Sequence, residues 1–139
     1  MRPVLVFGAA LLALAAFLPA RHESPVVSIH AMCEDGHLGD HSVTPEDVTV
    51  GQGEDLDWDL DDASTATDMT IEPKHAGHWP WAKDEHFKGG KGHAHRAKAN
   101  GKNMNKDAKG TYPYNIELTC PDGKGGTTQV TIDPSIIIH

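Results

Sequence analysis

The sequence predicts an all-β protein, a small antiparallel β-sandwich. Three observations carry that expectation. Apolar and polar residues alternate through several short segments, Gly, Pro and Asp turn signals separate those segments, and no stretch beyond the first twenty residues carries a helical period. Length and composition agree with it. A chain of 139 residues, 38% hydrophobic and 23% charged, allows one domain and excludes collagen, coiled coil and multi-pass membrane classes.

The first element is a leader rather than part of the fold. Arg2 is followed by an uncharged apolar run, Val4 to Leu18, closed by Pro19-Ala20 ahead of Arg21-His22-Glu23. This reads as a signal peptide over 1–20, cut after Ala20. The alternative is an uncleaved anchor, for which the run is short. No Cys follows the run, which argues against a lipoprotein. The remaining chain, 21–139, would be periplasmic or secreted, without a membrane span. Its two cysteines, Cys33 and Cys120, would then meet an oxidising space and form one long-range disulfide. The alternative is a thiolate metal ligand.

The strands follow in order. Val27, Ile29, Ala31 and Cys33 share one face of the first, and Val48 and Val50 mark a second. In Asp55-Leu56-Asp57-Trp58-Asp59-Leu60-Asp61, Leu56, Trp58 and Leu60 face the core and the Asp residues face water. That alternation spreads the carboxylates along a sheet, whereas a calcium loop must converge them. Met69 and Ile71 suggest a fourth strand. Tyr112, Tyr114, Ile116, Leu118 and Cys120 line a fifth, with Pro113 placing its start at a sheet edge or bulge. After the turn Pro121-Asp122-Gly123, Val130 and Ile132 point inward from the next. Cys33 and Cys120 both point inward at strand ends, where a staple is geometrically reasonable.

Charge divides the chain into blocks. Residues 21–72 hold 14 acids and one base, and residues 73–110 hold 3 acids and 9 bases together with five of the ten His. The overall net charge of −8 argues against a nucleic-acid partner. The middle block, rich in Gly, Lys, Asn, Ala and His, is expected to be a long irregular insert of about 73–110. Its front carries Trp79, Trp81 and Phe87. These rings either cap an open end of the core or form an aromatic binding platform.

The stretch Pro45-x-x-Val48-Thr49-Val50-x-x-Gly53-x-x-Leu56-x-Trp58 resembles the start of a cupredoxin-like domain. Gly110-Thr111-Tyr112-x-Tyr114, a Cys, a Gly-containing loop and Val130-x-Ile132 resemble that fold's closing strands, and also those of immunoglobulin-like sandwiches. The resemblance covers most of 25–133 apart from the insert. It implies a Greek-key sandwich of a small secreted bacterial protein. The family's type 1 copper site does not carry over. No His lies between Ser42 and Lys74, and Pro121 to Gly126 offers neither His nor Met.

Two features remain to carry function. His75, His78, His86, His93 and His95 could chelate copper, nickel or zinc, with Gly89, Gly90 and Gly92 letting the loop wrap and Met104 adding a thioether for Cu(I). A second group, His30, His37 and His41, lies around Cys33. Each of these His is otherwise a solvated loop residue. The basic run, which includes Lys98, Lys102 and Lys106, could contact polyanions, fold back on the chain's own acidic half, or stay solvated. No nucleophile elbow and no phosphate-binding glycine loop occurs, so no enzyme is expected. The first expectation is an exported, non-enzymatic binding protein capturing a divalent transition metal through the His-rich loop. The alternative is a structural or interaction module of the cell envelope. It would bind a protein or anionic surface through Trp79, Trp81, Phe87, Lys98, Lys102 and Lys106, without metal.

Overall fold

The computed structural model describes residues 23–90 and 95–139, so the expected leader, 1–20, lies outside the described residues, as does His93. The described residues are all-β. β1 (Val26–Glu34) turns at Asp35-Gly36, both at positive φ, into β2 (His37–Thr44). An Asp-Gly pair fits that tight hairpin because glycine accepts the left-handed backbone at no steric cost. β3 (Asp47–Val50), β4 (Leu56–Leu60) and β5 (Asp68–Pro73) follow. β6 (Phe87–Gly90) and β7 (Arg96–Ala99) come next, then β8 (Gly110–Pro121), β9 (Thr127–Ile132) and β10 (Ser135–Ile138).

Two sheets stack. One runs β2-β1-β4-β7 and the other β3-β10-β8-β5-β6, with β9 paired to β8. The sheets are mixed rather than purely antiparallel: β1 lies parallel to β4, and β3 parallel to β10. The reason is the path of the chain. It leaves the first sheet after β2, lends β3 to the second and returns as β4, so two crossings bring it back beside β1 in the same direction. Pro113 is expected at a sheet edge or bulge, but β8 is an interior strand. Pro113 pairs with Ser135 of β10 and lies just past the end of the β5 ladder at Tyr114, a changeover where its missing N–H is tolerated.

The period-2 reading of the core also holds. Val27, Ile29, Leu56, Trp58 and Leu60 from one sheet meet Met69, Ile71, Tyr114, Ile116, Leu118 and Ile136 from the other, all essentially inaccessible to solvent. The Trp58 indole N–H donates to the Tyr114 hydroxyl at 3.1 Å, giving the most buried polar pair a partner. Burial pushes the Tyr114 hydroxyl well above the ordinary tyrosine range, an effect the Trp58 hydrogen bond only partly opposes. Cys33 and Cys120 form a disulfide, with Cα atoms 5.5 Å apart, tying β1 to β8 across the two sheets. No thiolate is left there to ligate a metal.

The middle block departs from expectation. It is not one long irregular loop: it supplies β6 and β7, one to each sheet. β6 pairs with β5, β7 pairs with β4, and His95 N–H donates to Gly90 O at 3.1 Å, so this pair closes one flank of the sandwich. Composition hides this because β6 and β7 lie so close to neighbouring strands that only small residues fit at their inward positions. Ala97 and Ala99 are fully buried, and a side chain at Gly89 would come within 2.6 Å of Met69 Cε and 2.8 Å of the Arg96 backbone. Trp79, Trp81 and Phe87 are buried in the core cluster. Phe87 stacks on Trp58 with ring centroids 5.6 Å apart, and Trp81 meets Phe87 edge-on at 5.1 Å. The rings therefore cap the core, and buried rings offer no platform to a partner. Among the described residues no helix is long and apolar enough to cross a membrane.

Candidate functional site

The histidines are spread over separate turns. His75 is exposed after β5, where its carbonyl accepts from His78 N–H at 3.1 Å. His78 packs its ring on Tyr112, with centroids 4.5 Å apart, and its Nε2 donates to Thr111 O at 3.0 Å. His86 lies 3.8 Å from the Glu72 carboxylate, and exposed His95 holds a left-handed backbone with φ at 64° before β7. Among the described residues no three His, Cys, Asp or Glu side chains converge on a point that could hold a metal. Met104, the candidate thioether, is 8% exposed and its Sδ accepts from Gly53 N–H at 3.3 Å.

The second His group is structural. His30 Nδ1 donates to Asp61 at 2.8 Å, and Ser64 Oγ donates to the same carboxylate at 2.6 Å while accepting from Ala31 N–H. His37 is exposed, and His41 bonds its own strand at Gly39 O. Desolvation pushes the Asp61 carboxyl upward, but hydrogen bonds from Ser64 and His30 and the His30 charge outweigh it and leave it below the usual carboxylate value. A lowered carboxylate stabilises the fold above the unfolded value near 3.8, and that contribution is lost as pH falls through the folded value. Asp61→Ala is thus expected to cost at most about 1 kcal/mol at neutral pH, since the group is half exposed and screened. Urea midpoints should show the gap to the parent closing between about pH 5 and pH 3. A gap unchanged across that range would contradict this account.

The basic residues divide in two. Arg96 and Lys98 on β7 sit opposite Asp59 and Asp57 on β4, and the Arg96 guanidinium lies 3.8 Å from both carboxylates. That half of the run folds back on the acidic strand. Lys102 and Lys106 are exposed and form no ion pair with another described residue. They border a groove of about 630 Å³, with Ala82, Lys83 and Glu85 on one side and Met104 between the two lysines on the other.

Both walls are firmly built. The 3-10 turn Ala82–Asp84 carries Lys83 and Asp84 at φ of 59° and 50°, and both oxygens of Asp84 accept from Gly77 N–H at 3.1 Å. Two consecutive non-glycine residues in the left-handed region cost energy that this clamp offsets. The opposite 3-10 turn, Gly101–Asn103, is capped by the Asn100 side chain accepting from Lys102 N–H at 2.9 Å. Gly101 N–H donates to Asp55 at 2.6 Å, and its Cα lies so close to the Gly53–Glu54 backbone that no side chain fits. Asn105 N–H donates to Pro80 O at 2.7 Å, and Trp81 pairs with Met104 in an isolated β-bridge. Sequence reasoning reached Lys102 and Lys106 but not Lys83, Glu85 or the groove, because two turns twenty residues apart are joined by the Trp81–Met104 bridge and the Asn105 to Pro80 hydrogen bond, which no local pattern announces. The chain matches no protein-family model and no curated protein.

Proposed function

We propose that this chain is an exported, non-enzymatic interaction module that engages an acidic protein surface of the cell envelope through the groove between Ala82–Glu85 and Lys102–Lys106. The carrying observation is the groove's charge: Lys83, Lys102 and Lys106 face one carboxylate, Glu85, on a protein that is otherwise strongly acidic. A groove that combines Met104 and Ala82 with ammonium groups favours a protein partner, whose apolar and acidic side chains match both parts of the lining. The disulfide supports a working place in an oxidising space, periplasmic or secreted. A cupredoxin-like shell without a copper site belongs to the same reading, on the resemblance of the Pro45 to Trp58 stretch. Metal capture by His75, His78, His86, His93 and His95 has no convergent geometry among the described residues behind it.

The test uses fluorescent poly-glutamate as a stand-in for an acidic surface. Anisotropy should report binding that weakens steeply with salt and falls about tenfold or more in the double variant K102E/K106E. Equal binding by parent and variant would overturn the proposal. Preference for anionic phospholipid vesicles would replace the protein partner with a membrane surface. Stoichiometric copper, nickel or zinc in the untagged protein, lost on H75A/H78A, would restore the metal reading.

A further inference from the structure

Resting on the docking reading above, we infer that the groove recognises a polar-ended peptide motif: one apolar anchor side chain with carboxylates on one side of it and none on the other. The anchor follows from the lining. Met104 and Ala82 put an apolar residue on each side of the groove, and about 630 Å³ has room for one large side chain with its adjoining backbone. The walls need no rearrangement to receive it, which lowers the cost of binding. Beside them Trp81 is 1% exposed, and its indole N–H has no hydrogen-bond partner among the described residues. Its chain neighbour Ala82 and its bridge partner Met104 both line the groove, so the buried ring braces the two walls from behind.

The asymmetry follows from what lies beyond. The segment Gly101–Lys106 is a ridge with a second hollow on its far side, lined by Gln52 and Gly53 and again by Lys102, Met104 and Lys106. Past Lys102 the surface changes sign. The next hollow is lined by Glu23, Glu54 and Asp55. An extended segment crossing the ridge therefore meets ammonium groups over the groove and carboxylates beyond it. Acidic residues are attracted on the groove side and repelled on the other, a discrimination built from both a favourable and an unfavourable contact.

Four labelled synthetic peptides test this on the oxidised full chain: a central phenylalanine with glutamates on one side and serines on the other, the same peptide with glycine for phenylalanine, one with glutamates on both sides, and one with serines on both sides. The first should bind tightest by anisotropy. Loss of the ring or of the glutamates should each weaken it about tenfold or more, and glutamates on the second side should weaken it further rather than help. Ala82→Glu places a carboxylate on the groove lining at an exposed position and should abolish the preference for phenylalanine while the thermal melt stays that of the parent. If phenylalanine and glycine peptides bind equally, or if the doubly acidic peptide binds best, the inference fails while salt-sensitive poly-glutamate binding leaves the docking reading standing. If neither peptides nor poly-glutamate bind, both fail.

Discussion

Replacing Cys33 and Cys120 together by alanine is expected to lower the unfolding free energy by about 4–5 kcal/mol, the chain-entropy value for a crosslink spanning a loop of this length. The two residues stand 87 positions apart and join interior strands of opposite sheets. The loop they close includes most of the fold, from β2 to the end of β8, so the unfolded chain gains much freedom when the bond is lost. A domain of this size holds about 5–15 kcal/mol in total, so the variant should sit near the edge of folding. Urea titration of parent and variant, with the parent repeated under reductant, checks it. A variant within about 1 kcal/mol of the oxidised parent, or a parent indifferent to reductant, would show that packing alone holds the sheets.

Trp58→Ala should cost about 3–5 kcal/mol through the cavity it leaves. Trp58 is fully buried and stands at the centre of the aromatic cluster. Phe87 stacks on it, Trp81 and Tyr114 meet it edge-on with ring centroids 6.1 Å away, and its indole N–H donates to the Tyr114 hydroxyl. The loss should reach past β4. Phe87 begins β6 and Trp81 bridges to Met104, so removal of the central ring loosens the segment that walls the groove. Trp58→Phe separates the terms. It keeps most of the volume, leaves the Tyr114 hydroxyl without its donor, and should cost about 1–3 kcal/mol. Chemical denaturation gives the energies, and near-UV circular dichroism reports the aromatic packing. A W58A protein as stable as W58F would refute the cavity argument.

The strands with large alternating side chains were legible from the chain itself. Leu56, Trp58 and Leu60, and the row from Tyr112 to Cys120, declare their buried face at once because each inward position is large and each neighbour polar. The cysteine pair was legible for a related reason: both sulfurs share parity with buried neighbours. β2 was not, since its inward residues Leu38 and Val43 are only half covered at a sheet edge, although Asp35-Gly36 carried the hairpin signal. β6 and β7 were hidden more deeply. Gly89, Gly90, Ala97 and Ala99 look like linker composition until their close packing is seen, Gly89 against Met69 and the Arg96 backbone and Gly90 against the Thr67–Asp68 backbone. β10, with three consecutive isoleucines, gives no alternation to read because Ile137 opposes two buried neighbours. Of the candidate site only its lysines could be read. The groove depends on a bridge between positions 81 and 104 that no local pattern announces.

The parallel pairing of β3 with β10 has a consequence for how the protein is made. Among the described residues, 47–50 find their ladder partner in residues 135–138, so the second sheet stays unfinished until that stretch has been synthesised. Until then β3 has no ladder partner, and the unfinished sheet stays open to proteases.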